Sequence, residues 1–112
     1  MIFITNPFNP TGSTITTDEF NEFSKQVPED VIIVVDEAYI EFASPDSSRL
    51  TDVVERGNLI VLRTFSKWAG LAGLRVGYGA FPTNLVSHLW KIKQPYNVSV
   101  AGTVAALASI EH

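Results

Sequence analysis

An α/β fold, with a mostly parallel sheet and flanking helices, is what this sequence predicts from three observations. Val31 to Val35 is continuously apolar with no alternation, the pattern of a strand covered on both faces, as strands in parallel sheets are. Strand-like and helix-like stretches alternate along the chain, as βαβ units require. Three strand-like runs, Ile2 to Thr5, Val31 to Val35 and Leu59 to Phe65, each deliver polar residues into a following loop, and in an open parallel sheet such loops gather at the carboxyl ends of the strands.

Each element follows in order. Ile2 to Thr5 stops at Asn6-Pro7-Phe8-Asn9-Pro10-Thr11-Gly12, where two prolines and a glycine prevent regular structure from continuing. Thr16 and Glu19 have capping-box spacing, Thr17 and Asp18 are further cap candidates, and Phe20, Phe23 and Val27 share one helical face until Pro28 ends the pattern. The strand Val31 to Val35 delivers Asp36. After Tyr39 the chain turns polar through Ser44-Pro45-Asp46-Ser47-Ser48, and Leu50 to Glu55 reads as a short helix closed by Gly57. Leu59 to Phe65 is the next strand, its loop holding Ser66, Lys67, Gly70 and Gly73. Val76 to Phe81 reads as a further strand. Thr83 is placed to cap a helix in which Leu85, Leu89 and Ile92 align, broken by Pro95. Ser99 to Ile110, rich in Ala, Val and Leu, reads as a buried helix running to His112.

Composition narrows the function classes. The 112 residues are 46% hydrophobic and 18% charged, with no cysteine, which excludes a disordered tail and a disulfide scaffold. Twelve acidic residues against eight scattered basic ones leave a net charge of −4, unsuited to a nucleic-acid backbone. No apolar run approaches the roughly 20 residues that span a bilayer, and no basic segment precedes an apolar one at Met1. A soluble, unexported, cytoplasmic chain without membrane or nucleic-acid partner is expected. The Asn97-Val98-Ser99 sequon is a chance match in that setting. The chain begins on a strand and ends inside a helical pattern, which predicts a piece of a larger domain. Uncovered apolar faces and sheet edges would make such a piece associate.

If the three strands are neighbours, Asn9, Asp36 with Tyr39, and Thr64 with Ser66 and Lys67 face one crevice. A lone Lys is ordinarily a solvated surface group. Here it stands between hydroxyls and the glycines Gly70 and Gly73, with Arg75 eight residues on. Small residues let backbone approach a ligand and Arg can grip a phosphate with two parallel bonds, although a tight loop explains the glycines equally. Asp36 reads as a helix cap or turn former, or as a carboxylate that stays ionised against a buried cation. Glu37 reads as a solvated or capping carboxylate. His88 reads as a surface or packing residue, Trp68 and Trp90 as packing residues, and no metal-ligating cluster is evident.

Three ordered motifs carry a resemblance: Asn6-Pro7-Phe8-Asn9-Pro10-Thr11-Gly12, Asp36-Glu37-Ala38-Tyr39, and Thr64-Phe65-Ser66-Lys67 continuing through Gly70-Leu71-Ala72-Gly73-Leu74-Arg75-Val76-Gly77. Together they resemble the fold-type I, class I/II aminotransferases, which use pyridoxal 5′-phosphate. Asp36 to Phe42 and Lys93-Gln94-Pro95-Tyr96-Asn97-Val98-Ser99 look most like the histidinol-phosphate aminotransferase group, and the likeness spans essentially the whole chain. Phe8 stands where many relatives have Asn.

The resemblance implies a set of roles. Lys67 would bond the cofactor's aldehyde and shuttle a proton. Asp36 would pair with the pyridinium nitrogen, and Tyr39 and Asn9 would hydrogen-bond the ring's 3′-oxygen. Thr64, Ser66 and Arg75 would hold the phosphate. The Asn9-Pro10 bond would be cis, aiming Asn9 into the site, and the strand Val76 to Phe81 would run antiparallel. Residues 1–112 would be part of the large, cofactor-binding domain, lacking an N-terminal segment and a C-terminal small domain, and the parent would be a homodimer acting on a small-molecule amino donor and a 2-oxo acid. The activity implied is amino transfer from histidinol phosphate to 2-oxoglutarate in histidine biosynthesis, with the piece alone inactive or weakly active. Two rivals stand beside it: another class I/II aminotransferase or a threonine-phosphate decarboxylase-like enzyme, and a folded but non-catalytic fragment.

Overall fold

The computed structural model describes residues 1–111. Four strands form one sheet in the order β1 (Ile2–Thr5), β2 (Ile33–Asp36), β3 (Leu59–Thr64), β4 (Gly77–Ala80). The first three are parallel, and β4 runs antiparallel to β3. Helix α1 (Thr17–Gln26) connects β1 to β2, and 3₁₀ turns at Ile40–Phe42, Pro45–Ser47 and Thr51–Val54 connect β2 to β3. Two helices follow the sheet, α2 (Thr83–Ile92) and α3 (Val100–Glu111). His112, to which the last helical pattern extends in the sequence, lies outside the described residues.

The register fixes which side chains share a face. Ile33 and Val35 pair with Leu59 and Val61, and these four pack with Phe20 and Val53 into the main core, joined at its edge by Ile4, Phe23 and Val27. The α1 face read from the sequence is therefore the buried one. Capping holds its start: Thr16 Oγ1 accepts from the Glu19 N–H at 3.2 Å, and Glu19 Oε2 accepts from the Thr16 N–H at 2.9 Å and from its hydroxyl at 2.8 Å. Those donors, the backbone N–H foremost, hold the Glu19 carboxyl below its ordinary pKa. A depressed folded-state pKa means that the contribution is present above the unfolded carboxyl's value and lost as pH falls through the lower folded one. In an acid titration followed by NMR, the Thr16 amide shift should move in that window and Glu19→Gln should abolish the movement; a wild-type titration in the variant would refute the assignment.

Helix α3 departs from the expectation of a buried helix. It is apolar all round, yet only Gly102 and Ala106 are buried, against a second core of Phe65 and Val76. Val104 and Val100 are 61% and 82% exposed. A helix that lacks a polar face carries no signal of which side is covered. The contact it does make is close: a Cβ on Gly102 would lie 2.5 Å from Val76 Cγ2 and 3.3 Å from the Leu74 carbonyl oxygen. Gly102→Val should accordingly destabilise toward the upper part of the roughly 1–3 kcal/mol range for overpacking, read as a lower thermal midpoint; an unchanged midpoint would show that α3 does not seat there.

Two smaller expectations are also corrected. Thr83 begins α2 but does not cap it; Pro82 occupies the cap position with no side-chain hydrogen bond, since a proline already preset near φ −58° leads into the helix. The Leu50 to Glu55 segment is helical as expected, in the form of a single 3₁₀ turn over Thr51–Val54. Trp90 is no packing residue, with its side chain 67% exposed beside Lys93. Trp68 does pack, its ring 5.7 Å from that of Phe65.

Candidate active site

The three parallel strands end side by side, with Thr5, Asp36 and Leu62 in register. Asp36 closes β2, and its Oδ1 accepts from the Ala38 N–H at 3.1 Å, an Asx-type turn that redirects the chain as soon as the strand ends. That turn presents Tyr39. The Asn9 amide, from the loop after β1, donates to the Tyr39 hydroxyl oxygen at 3.2 Å. Lys67, from the loop after β3, places Nζ 5.4 Å from the centre of the Tyr39 ring. Residues separated by 30 and 28 positions thus meet on one phenol, each delivered by a different strand end. Lys67 is exposed and forms no ion pair among the described residues. The Asn9-Pro10 bond is cis, as the resemblance implies, and so is Asn6-Pro7.

Thr64 and Ser66 form a second group. The Thr64 hydroxyl accepts from the Ser66 N–H at 3.0 Å and donates to the Val76 carbonyl at 3.4 Å, which also accepts from the Phe65 N–H. These bonds lay the segment after β3 against the start of β4, so Arg75, the neighbour of Val76, reaches the same edge. Its backbone is left-handed at φ 56° and its guanidinium donates to the Ala72 carbonyl at 2.7 Å. For a residue with a large side chain that conformation is strained, and such outliers concentrate at functional sites. Among the described residues, the side-chain hydrogen bonds of Arg75 do not reach Thr64 or Ser66, and Asp36 forms no ion pair with Lys67. Gly70, at φ +68°, makes the turn in the lysine loop that L side chains resist.

The opposite face of the sheet holds residues the sequence misassigned or passed over. Alternation sends Asp36 and Glu37 to opposite sides, and Glu37 is 0% exposed rather than solvated. Its carboxylate accepts from Arg63 Nε at 3.0 Å and Nη2 at 2.9 Å, from the Ser48 hydroxyl at 3.0 Å and from the Arg49 N–H. Burial alone would lower the pKa of Arg63, but hydrogen bonding and charge attraction from Tyr78 and Glu37 outweigh it and raise the value above the ordinary one. Arg63 stays a cation. Asn6, only 2% exposed, donates to the Ser47 carbonyl at 2.9 Å and accepts from the Ile15 N–H at 3.0 Å, tying the loop after β1 to the one after β2. The sequence signalled neither: the unbroken apolar run before Glu37 gives its alternation no phase, and both partners of Asn6 are backbone atoms.

Cleft size does not mark the chemistry. A cleft of about 630 Å³ lies at the other end of the sheet among Lys25, Arg56, Asn58 and Asn84, where no two of the predicted site residues meet. A smaller one, about 360 Å³, opens beside Asn9 and Tyr39 and is walled by Phe8 and Phe42. No helix among the described residues is long and apolar enough to cross a membrane.

Comparison with known proteins places this arrangement. The model of the family "Aminotransferase class I and II" matches residues 1–112. Histidinol-phosphate aminotransferase 1, chloroplastic, from Arabidopsis thaliana is 57% identical over 111 residues, which cover 99% of this chain and 26% of that protein. The crystal structure of histidinol-phosphate aminotransferase from Sinorhizobium meliloti in complex with pyridoxal-5′-phosphate superposes with a TM-score of 0.89 at 34% identity, over 97% of this chain and 30% of that one. The L-threonine-O-3-phosphate decarboxylase of Porphyromonas gingivalis superposes with a TM-score of 0.84 at 27% identity, over 99% of this chain and 35% of that one. The chain therefore spans about a quarter to a third of the length of these relatives. With a match over its whole length and a relative of the same family superposing on its sheet, this chain belongs to the class I and II aminotransferases.

Proposed function

We propose that residues 1–112 form the central part of the large domain of a histidinol-phosphate aminotransferase and supply the lysine-bearing side of a pyridoxal 5′-phosphate site. The observation that carries this reading is the convergence of Lys67, Tyr39 and Asn9 from three strand ends. The donor set supports the cofactor: an amine without an ion-pair partner among the described residues, a phenol, an amide, a carboxylate and hydroxyls all lie at one end of the sheet, and a Cβ on Gly73 would meet nothing within 4 Å.

When bound, the cofactor supplies an aldehyde that captures amino groups and a pyridinium ring that withdraws electrons. Lys67 Nζ would be the group that holds the cofactor covalently and, when free, a base able to take up and return a proton. The Asp36 carboxylate would accept from the ring N–H and keep that nitrogen protonated. Because Asn9 already donates to the Tyr39 oxygen, the Tyr39 O–H is left to donate to the ring's 3′-oxygen. The hydroxyls of Thr64 and Ser66 and the fork of Arg75 would hold the phosphate. The partners are a small-molecule amino donor and a 2-oxo acid, the assembly is a homodimer, and the compartment is cytoplasmic; the plant relatives are named chloroplastic.

The test is covalent trapping in the full-length protein that contains this chain. Incubation with pyridoxal phosphate, reduction with borohydride and peptide mass analysis should place the adduct on Lys67; labelling spread over surface lysines would overturn the site. Since a ligand that binds only the folded state stabilises it, added cofactor should also raise the melting temperature of the wild type more than that of Arg75→Ala, and equal shifts would remove Arg75 from the phosphate site. The likeness to the threonine-phosphate decarboxylase supports a second reading, in which the same cofactor site releases carbon dioxide from threonine phosphate. Assaying amino transfer from histidinol phosphate to 2-oxoglutarate beside carbon dioxide release separates the two.

A further inference from the structure

We infer that Glu37 and Arg63 are positioning residues for the site on the other side of the sheet, an inference that rests on the cofactor reading above. Each is the immediate chain neighbour of a residue assigned there: Glu37 follows Asp36, and Arg63 precedes Thr64. Alternation puts the ion pair on one face and Asp36 and Thr64 on the other.

The pair sits where the sheet can least hold itself. Asp36 opposite Leu62 is the last pairing between β2 and β3, and Thr64 pairs only with Gly77 of β4. Beyond Asp36 a single backbone bond, from the Glu37 N–H to the Leu62 carbonyl at 2.9 Å, joins the two strands. The side chains complete the clamp. Both Nε and Nη2 of Arg63 reach Glu37 Oε2, Nη2 also donates to Ser48 Oγ at 2.8 Å, and the Ser48 hydroxyl returns to Glu37 at 3.0 Å. Glu37 Oε1 takes the Arg49 N–H. Every link is directional, so the carboxylate has one orientation. Two apolar side chains would fill the space with no such requirement, and burying an ion pair in place of them is seldom a gain in stability. What the pair adds is geometry: the spacing between Asp36, which would meet the ring nitrogen, and Thr64, which would meet the phosphate, is set from behind.

The full-length holoenzyme tests this with Glu37→Gln, which removes the charge at nearly constant shape, and Arg63→Lys, which keeps the charge and loses the planar fork. The readouts are the pH titration of the bound cofactor's visible absorbance band, kcat and KM with histidinol phosphate and 2-oxoglutarate, and the thermal midpoint. Positioning predicts, in at least one variant that retains the wild-type circular dichroism spectrum, a displaced titration and a kcat lowered roughly 10- to 100-fold, as small misplacements of reacting groups do, with KM changed much less. A lower thermal midpoint with wild-type titration and kcat in both variants would make the pair merely structural and overturn the inference. Should neither variant fold while the wild type does, the pair is required for folding itself and a separate positioning role is rejected. If the wild type gives no borohydride-reducible adduct on Lys67, the cofactor reading falls and this inference with it; an adduct alongside unshifted variants removes the positioning role alone.

Discussion

Lys67→Ala in the full-length protein is expected to lower amino transfer by about ten-thousandfold or more, the upper end of what a positioned acid or base contributes, while leaving the fold intact. The two effects separate because of what Lys67 touches. Its side chain is exposed, forms no ion pair among the described residues, and places Nζ 5.4 Å from the centroid of the Tyr39 ring. An exposed cation over an aromatic face is worth about 0.5–1 kcal/mol, so its removal shifts the thermal midpoint little. The amine is nevertheless the one group in the crevice that can both bond an aldehyde and exchange a proton. Lys67→Arg sharpens the experiment: a guanidinium preserves the charge over Tyr39 but does not deprotonate in proteins, so it should be as inactive as the alanine variant. Steady-state amino transfer, borohydride trapping and a thermal melt on all three proteins give the answer. Turnover within tenfold of wild type in either variant would dismiss Lys67 as the catalytic group.

Much of the fold was legible because it is written in local rules. The continuous apolar run at Val31 to Val35 marks a covered parallel strand, Thr16 with Glu19 marks the start of α1, and the prolines and glycines after Thr5 mark the loop, each independent of the rest of the chain. The convergence at Tyr39 was legible at one remove: the sequence places Asn9, Tyr39 and Lys67 after strands, and the parallel order of β1, β2 and β3 brings those ends together. Non-local pairing was not legible. In an unbroken apolar strand the residues carry no face signal, so the alternation that buries Glu37 and turns Asp36 the other way could not be phased from the sequence, and Arg63 reads as one charge inside a strand until its partner 26 residues earlier is known. Helix α3 and Trp90 fail for the converse reason: apolar residues predict burial, but where every side is apolar, composition does not say which side another element covers.

Breaking the Glu37–Arg63 pair from one side should be the costliest single change to stability. Arg63→Met leaves a carboxylate with 0% exposure and no cation, and removing one partner of a buried pair destabilises by roughly 3–5 kcal/mol. The Ser48 hydroxyl and the Arg49 N–H still donate to Glu37, which holds the loss toward the lower end of that range. Removing the second charge should then restore stability. The double variant Glu37→Leu/Arg63→Met has no buried charge to leave unpaired, although Ser48 and Arg49 lose their acceptor, and a buried donor without a partner costs about 1–3 kcal/mol. Recovery should therefore be partial, with the double variant more stable than Arg63→Met yet below wild type, and with a coupling energy that marks the two residues as one unit. On the Arg63 side the wild-type pair does not weaken between neutral and mildly acid pH, because a guanidinium whose pKa is raised contributes fully at every pH below its unfolded value. Chemical denaturation of the wild type, both single variants and the double variant closes the cycle. Additive losses, with the double variant the least stable of the four, would mean that the carboxylate and the guanidinium do not depend on one another.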